Sequence, residues 1–542
     1  MDVGEMQTKL ARWSQDPEFR FDDIYNLVHD RDFLFRAYRN VKSNSGSRTA
    51  GVDGQTMQDF KEDLNKHLTD LQGSLKSQSY DPRPVRRTYI PKGDGRERPL
   101  GIPTIKDRIV QEALKMVLEP IYETDFSDHS FGFRPNRRTH DAIKMVRVPM
   151  QAGKMYWVIH ADINGFFDAV DHGTLGKIMQ DRITDRKVLK LVWEFLKAGV
   201  MEDGIFRHSM LGTPQGGVVS PLLANIYLHE LDQWTERWTE TSSVEKQRRW
   251  RKGKRNWRYV RYADDFLMYT NGAKGRAEDM LGRVDGFVNE KLNLTLSAKK
   301  TEIVHAEDGF EFLGYRFQKK PDSQGVKTTI PKEAMADIRE KIDAATDGDT
   351  DVSVRAKMKA LNAVLRGWSN YYKYATDVSK DLYSIETYAW DRTSRWLAGK
   401  FKCSKNGLRT KVESFTPLRV NGVTLEHFEG KTSTYRESPM DKDHPYLEGE
   451  PQALDIIPED QPWLAKEEGR TGYRDRRFEA LERDDWTCRK CGADLHRETA
   501  HVHHKKARTG YGNGKEADSL SNLVSLCAKC HDHTESNRAR AE

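Results

Sequence analysis

The stretch that decides the fold is Arg258-Tyr-Val-Arg-Tyr-Ala-Asp264-Asp265-Phe-Leu-Met-Tyr269. Two adjacent carboxylates lie between two short runs of apolar and aromatic residues, which is the pattern of a β-hairpin with acids at its tip. Folding does not require two like charges side by side. A divalent cation is the simplest reason for them, because carboxylate oxygens are its preferred protein ligands.

A further carboxylate follows an apolar strand upstream, in Met155-Tyr-Trp-Val-Ile-His-Ala-Asp162. A strand ending in Asp162 beside a hairpin carrying Asp264 and Asp265 brings three carboxylates together. Such a cluster can hold two Mg²⁺ ions roughly 3.5–4 Å apart, which activate a 3′-hydroxyl, clamp a triphosphate and stabilise the leaving group. We therefore expect Asp162 and Asp264 to be the principal Mg²⁺ ligands. Asp265 is expected to support them, turned away by strand alternation.

Six motifs follow one another along the chain, and their order carries a resemblance. They are Pro91–Pro103, Ser130–Pro135, Met155–Asp168, Gly212–Tyr227, Tyr262–Asp265 and Phe310–Phe317. In this order they resemble the reverse transcriptase of group II intron-encoded proteins, or maturases, over essentially the whole chain. The resemblance implies a multidomain α+β protein, built as a right-hand polymerase of fingers and palm with an α-helical thumb.

The resemblance also implies residues that bind the incoming dNTP. Lys92 and Arg98 match positions that grip the triphosphate, where cationic donors offset the charge on the transferred phosphate. Gln215 would approach the nascent base pair, and the glycines beside it let the backbone come close.

Phe167 lies five residues after Asp162, where reverse transcriptases place an aromatic steric gate that favours dNTPs. Alternatively, Phe166 and Phe167 both belong to the core, and we expect one of them to do so. Asp168 and Asp171 are expected to cap the following turn rather than to bind metal.

A basic insertion precedes the hairpin. From Lys246 to Arg258, eight basic residues are interleaved with two tryptophans. Basic side chains bind phosphates and indole rings stack on bases, a combination that suits RNA or single strands. The alternative is a solvated loop with incidental charge. The residues expected to contact nucleic acid are Arg248, Arg249, Trp250, Arg251, Lys252, Lys254 and Arg255.

Composition and periodicity divide the chain. Three blocks with helical character, Lys332–Ala345, Val354–Tyr374 and Lys380–Lys400, predict a helical thumb. Within the second block, Arg366-Gly-Trp-Ser-Asn-Tyr-Tyr372 resembles the maturase domain. The expected segments are an N-terminal extension of the fingers (1–84), fingers and palm (85–325), thumb (326–402), a DNA-binding segment (403–440), an acidic proline-rich linker (441–470) and a C-terminal domain (471–542).

Four of the five cysteines form two pairs, Cys488-Arg-Lys-Cys491 and Cys527-Ala-Lys-Cys530. Two such pairs predict a tetrahedral, structural Zn²⁺ site. Two disulfides are the alternative, but they are rare in cytoplasmic proteins. The 35 residues between the pairs exceed the usual zinc-ribbon spacing, so the interval should have a function of its own.

The interval between the cysteine pairs resembles an HNH endonuclease, a ββα-metal fold on a zinc-stabilised scaffold. The resemblance implies that His504 is the general base that activates water and that Asn522 orients it. His503 and His531 would be the metal ligands. Imidazole accepts a proton near neutral pH, and one hard cation, Mg²⁺ in our reading, stabilises the charge that develops on the phosphate.

Overall composition limits the location of the protein. The 542 residues carry a net charge of +6 and are 32% charged. The mean hydropathy is −0.80, and no apolar run approaches the roughly 20 residues of a membrane span. The N-terminal residues lack the layout of a signal or transit peptide. We therefore expect a cytoplasmic protein without a membrane partner.

Together these features imply a multifunctional protein that binds its group II intron RNA, assists splicing, nicks target DNA and extends the nick as cDNA. One alternative is an RNA-binding splicing factor without polymerase activity. Others are a reverse transcriptase of a defence or diversity-generating system, and a DNA endonuclease whose polymerase fold serves only for targeting. Whether the protein acts as a monomer or dimer stays open.

Overall fold

The chain divides into two compact units, Met1–His444 and Pro445–Glu542, in a computed structural model. The residues described are 1–91, 97–152, 155–202, 205–207, 212, 216–239, 248, 256–321, 325–348, 352–428, 444–447, 480–481, 483–484, 487–491, 500–504, 523–527 and 530.

Helices of the first unit form where apolar residues recur at helical spacing. Side-chain caps define the start of several, since Asp30 and Thr104 each accept a hydrogen bond from an amide of the first turn. The helices are α1 Val3–Ser14, α2 Tyr25–Val28, α3 Arg31–Ser43, α4 Met57–Glu62, α5 Leu64–Lys76, α6 Ile105–Asp125, α7 Thr139–Ala152, α8 Phe166–Ala169, α9 His172–Gln180, α10 Arg186–Lys197, α11 Ser220–Thr239, α12 Lys274–Leu292, α13 Lys332–Thr346, α14 Val354–Tyr372 and α15 Ser379–Lys400.

The strands form sheets with the orders β2-β1-β4-β5, β6-β7-β3-β8, β11-β10-β9, β12-β13-β14 and β15-β16. Their bounds are β1 Val85–Pro91, β2 Glu97–Ile102, β3 Trp157–Asp162, β4 Val200–Glu202, β5 Ile205–Arg207, β6 Trp257–Tyr262, β7 Asp265–Thr270, β8 Glu302–His305, β9 Phe310–Phe312, β10 Tyr315–Lys319, β11 Val326–Thr329, β12 Ser414–Phe415, β13 Leu418–Val420, β14 Val423–Thr424, β15 Ala500–His504 and β16 Leu523–Cys527.

The antiparallel sheet β6-β7-β3-β8, called the palm sheet here, is buried on both faces. Side chains alternate between the faces of a strand. On one face Tyr259 and Phe266 join a hydrophobic core that includes α1, α3, α6, α11 and α12. On the other face Val158 and Leu267 join a second core that includes α7, the β9–β11 sheet and α13–α15. The palm sheet is therefore the layer between two cores.

The three helical blocks expected in the thumb are confirmed, since α13, α14 and α15 match them within two residues at every end. The second core, which contains these helices, continues beyond the expected boundary at residue 402. Leu408, Leu418 and Phe428 are buried in it, and the side-chain amide of Asn362 on α14 donates to the carbonyl of Thr424 at 2.7 Å. The start of the segment expected to bind DNA thus packs in the same core as the three helices.

The second unit contains the antiparallel pair β15 and β16. Its register sets His504 opposite Leu523 at one end and Ala500 opposite Cys527 at the other. Within the described parts of the whole chain, we find no helix with the length and apolar character needed to cross a membrane.

Candidate active sites

The predicted hairpin and strand bring the acidic residues to one end of the palm sheet. Strands β6 and β7 flank a turn at Ala263-Asp264, and β3 ends at Asp162. Asp162 pairs directly with Asp265 in the register of β3 and β7. Directly paired residues share a face, so Asp265 lies on the same face of the sheet as Asp162. Asp264 lies in the turn, while Asp265 is the first residue of β7. The supporting role expected for Asp265 stays a prediction.

Two cationic or protonatable side chains contact these acids, and sequence reasoning missed both. Lys300 Nζ lies 2.9 Å from Asp162 Oδ2, and His160 Nε2 lies 2.8 Å from Asp265 Oδ1. Burial acts to lower the pKa of His160, but the hydrogen bond and charge of Asp265 outweigh it, and the pKa is raised. His160 precedes Asp162 by two residues on β3, so strand alternation could have predicted that the two side chains share a face. The sequence contains no comparable signal for Lys300.

Asp264 has a raised pKa. Burial is the main cause, and the negative charges of Asp162 and Asp265 add to it, while Lys300 acts in the opposite direction. Carboxylate oxygens crowded in this way are suited to hard cations such as Mg²⁺, whose charge would relieve the repulsion. Asp162 and Asp264, with Asp265 beside them, could hold such ions, which when bound supply charge stabilisation for phosphoryl transfer.

The turn at Ala263-Asp264 packs closely against residues 129–132, which overlap the Ser130–Pro135 motif. The amide of Phe131 donates to the carbonyl of Arg261 at 2.9 Å, and the amide of Arg261 donates to the carbonyl of His129 at 2.8 Å. A Cβ on Gly132 would lie 2.4 Å from the backbone nitrogen of Ala263. Only glycine permits this approach, because real Cβ contacts are not shorter than 3.0 Å.

The residues expected to bind dNTP are only partly within the described structure. Arg98 is exposed on β2, where it pairs with Ile90 of β1. Lys92 and Gln215 lie outside the described residues. Next to Gln215, Gly216 has a φ of +109°, and a Cβ there would lie 2.3 Å from the carbonyl oxygen of Gly101. This glycine therefore brings the loop against the end of β2.

Phe166 and Phe167 differ in their burial. Phe166 is buried in the core and Phe167 is half-buried, with the two rings edge to face at 5.4 Å. The expectation that one of them is a core residue is confirmed for Phe166. Asp171 caps α9 through a 2.7 Å bond from the amide of Thr174, as expected, whereas Asp168 lies exposed within α8.

The basic insertion is almost wholly outside the described residues. Arg248 is described and exposed. The positions beyond description are Arg249, Trp250, Arg251, Lys252, Lys254 and Arg255.

Three of the four paired cysteines of the second unit converge. The Sγ atoms of Cys488, Cys491 and Cys530 lie within 4.8 Å of one another, as soft ligands for Zn²⁺ would. Among the described residues, this is the one group of at least three possible metal ligands gathered so closely. Asp162 and Asp265 instead pair with Lys300 and His160, and with Asp264 they do not form a group of ligand atoms within 4.8 Å of one another.

The other residues expected to act in the zinc or nuclease site are described by their backbone or not at all. The side chains of Cys527, His503 and His504 lie outside the described structure, as do Asn522 and His531 entirely. The register nevertheless sets the backbone of His504 opposite Leu523. Along the strand pair, the backbone of His504 lies at the end opposite to Cys527.

Three family models match successive parts of the chain. The model described as reverse transcriptase (RNA-dependent DNA polymerase) matches residues 90–317. The group II intron maturase-specific domain matches residues 335–413, and the HNH endonuclease model matches residues 488–537. The fold and the carboxylate centre thus belong to an RNA-dependent DNA polymerase joined to a maturase domain and an HNH domain.

Relatives define the family further. Protein YkfC of Escherichia coli is 40% identical over 357 residues, covering 61% of this chain and 93% of YkfC. The group II intron-encoded protein LtrA of Lactococcus lactis is 36% identical, covering 56% of this chain and 59% of LtrA. A telomerase structure from Candida albicans aligns at 13% identity with a TM-score of 0.34, covering 67% of this chain and 69% of that chain. The chain belongs to the group II intron-encoded reverse transcriptases.

Proposed function

We infer that this chain is a multifunctional group II intron-encoded protein, an RNA-directed DNA polymerase and an HNH endonuclease. It binds its intron RNA, assists splicing, nicks target DNA and extends the nick as cDNA. The observation that carries the polymerase assignment is the register that sets Asp162 against Asp265, next to the turn that holds the half-buried Asp264. The chain spans 59% of the length of LtrA. The activities of the whole protein are therefore proposals, and they rest on the domains found in this chain.

The proposed polymerase centre uses Mg²⁺ held by Asp162 and Asp264. Lys92, Arg98 and Gln215 would bind the incoming dNTP. Half-buried Phe167 would contact its sugar, where the ring disfavours a 2′-hydroxyl.

The proposed nuclease uses His504 as general base, Asn522 to orient it, and His503 and His531 to hold a divalent cation. Zn²⁺ bound by the four paired cysteines would stabilise this domain; three of the four already converge. The basic residues from Arg248 to Arg255 would contact RNA or the displaced DNA strand. The segment boundaries and a cytoplasmic location stay predictions.

The test of the polymerase is primer extension on an RNA template with dNTPs and Mg²⁺. We expect template-dependent cDNA from the wild type and a loss of at least about 10³-fold in Asp264→Ala, because the metal-binding carboxylate is gone. Asp285→Ala, an exposed aspartate on α12, is the matched control and should be fully active. Folded wild-type protein that binds RNA and yields no cDNA would support the non-polymerase splicing factor instead.

The nuclease is tested separately. His504→Ala should abolish nicking of duplex DNA carrying the intron's insertion site while primer extension continues at the wild-type rate. The reverse comparison, with Asp264→Ala, should leave nicking intact. A His504→Ala protein that still nicks at the wild-type rate would refute the assignment of the general base.

A further inference from the structure

A buried polar cluster lies directly behind the catalytic turn. Arg261, three residues before Asp264, has a fully buried side chain. By strand alternation on β6 it points to the palm-sheet face opposite Asp162 and Asp265, on the side of α11. Its position is therefore unlike that of a cation that binds substrate, which would need to reach the open side of the site.

The guanidinium is held by α11. Nε of Arg261 donates to Asp232 Oδ1 at 2.7 Å, and Nη2 donates to Oδ2. The hydroxyl of Tyr259 donates to the same carboxylate at 2.8 Å. Asp232, like Arg261, is 0% exposed in its side chain. The carboxylate thus neutralises the buried cation and fixes the plane of the fork.

The remaining guanidinium nitrogen reaches the catalytic turn. Nη1 of Arg261 donates to the carbonyl of Ala263 at 2.9 Å and to Asn225 Oδ1 at 3.0 Å. Ala263 has a φ of +56°, a left-handed conformation that costs energy for any residue other than glycine. A fixed donor on its carbonyl stabilises this conformation, in which the next residue is Asp264.

Asn225 extends the cluster to the segment that packs on the turn. It lies on α11 with 1% exposure, and its Nδ2 donates to the carbonyl of Gly132 at 2.8 Å. The side-chain amide of Asn225 therefore accepts a hydrogen bond from Arg261 and donates one to Gly132. The turn is held between Arg261 from behind and Gly132 at its backbone.

We propose that Arg261, oriented by Asp232 and Asn225, is a positioning residue that sets the Ala263 turn and thereby the metal-binding geometry of Asp264. The proposal rests on the polymerase function inferred above. Energetics support a role beyond stability, because a buried ion pair is often no more stabilising than apolar residues of the same volume. What apolar residues cannot supply is a directed donor to the Ala263 carbonyl.

The experiment measures RNA-templated primer extension as a function of Mg²⁺ concentration at saturating dNTP. Arg261→Lys keeps the charge but loses the planar fork, and Asn225→Ala removes one bond to Arg261 and one to Gly132. We expect the Mg²⁺ concentration for half-maximal rate to rise on the order of tenfold in each, with kcat lowered and the affinity for template–primer unchanged. A misplacement of about 1 Å can cost roughly 100-fold in rate, so a smaller displacement of the Asp264 carboxylate is consistent with the expected fall in kcat.

The control is Arg182→Lys, a buried arginine that contacts the carbonyls of Ser14 and Asp16 and pairs with Asp125, far along the chain from the turn. It should lower the melting temperature and leave the Mg²⁺ dependence unchanged. If Arg261→Lys is poorly folded, Asn225→Ala decides. Activity that falls only with the folded fraction, at unchanged Mg²⁺ dependence, would overturn the proposal. Wild-type protein without template-directed synthesis at any Mg²⁺ concentration would refute the polymerase assignment itself.

Discussion

Replacing Gly132 with alanine should displace the catalytic turn. The added Cβ would lie 2.4 Å from Ala263 N, 3.1 Å from Ala263 Cα and 3.1 Å from the carbonyl carbon of Tyr262. All three atoms are backbone, so no side chain can rotate away. Since 3.0 Å is the limit that real Cβ atoms respect, the turn must retreat by about 0.6 Å. A misplacement of about 1 Å can cost roughly 100-fold in rate, so we expect a fall in kcat of roughly 10- to 100-fold.

The assay is single-turnover incorporation of one dNTP on an RNA template, with the thermal midpoint measured on the same preparation. Overpacking of this kind costs about 1–3 kcal/mol, which leaves most of the protein folded at 25 °C. Gly176→Ala is the matched control: it lies within α9, and a Cβ there has no neighbour within 4 Å. Alanine at that helical position should be neutral or stabilise by up to about 1 kcal/mol.

A Gly132→Ala protein that is folded and incorporates dNTP within twofold of the wild-type rate would refute the argument. It would mean that the turn moves without moving Asp264. Equal loss of rate in Gly176→Ala would also count against it, since a Cβ at that position meets no atom of the turn.

Three further results are expected. Because burial raises the pKa of Asp264, this group contributes most to stability when it is protonated, and the contribution is lost as pH rises through its pKa. Asp264→Asn should therefore melt about 1 °C or more above the wild type at pH 7, with the gain shrinking toward pH 4 in paired melting curves. Arg134→Met should lower the free energy of unfolding by about 3–5 kcal/mol, because Glu123, whose side chain is 2% exposed, then stays buried without its partner. The double variant Arg134→Met, Glu123→Leu should recover most of this loss, and a double variant as unstable as the single one would contradict the argument. Cys488→Ser or a zinc-selective chelator should release zinc and expose the second unit to proteolysis while primer extension persists; unchanged zinc content in Cys488→Ser would exclude the site.

Local patterns predicted much of the first unit. Short runs of apolar and aromatic residues predicted the hairpin around Asp264 and the strand ending at Asp162, because strands covered on both faces have few polar positions. The thumb helices followed from their periodicity. Alternation along a strand did not predict the direct pairing of Asp265 with Asp162, because the register between β3 and β7 depends on contacts between distant segments.

Contacts between distant segments were beyond such patterns. The partner of Arg261 is Asp232, on a helix that precedes the basic insertion. The residues around either position do not indicate that the two side chains are in contact. Alternation on β6 did contain one usable signal: Arg261 shares a face with Trp257 and Tyr259, which marks it as an arginine with a buried side chain. Likewise, Gly132 within the Ser130–Pro135 motif indicates a close approach to another segment. The sequence does not show that this segment is the turn at Ala263.

The layer that carries the catalytic acids has a consequence for synthesis of the chain on the ribosome. Strands β3, β6 and β7 of the palm sheet have been synthesised once the chain reaches Thr270. The second core, which covers one face of this sheet, extends to Leu397 and beyond. The ribosome must add 127 residues between these two positions, which takes roughly 6–25 s at usual elongation rates. For that time the nascent protein presents an incompletely covered apolar sheet. Its yield in a cell should therefore depend on chaperones, and slower translation of residues 271–397 should favour aggregation.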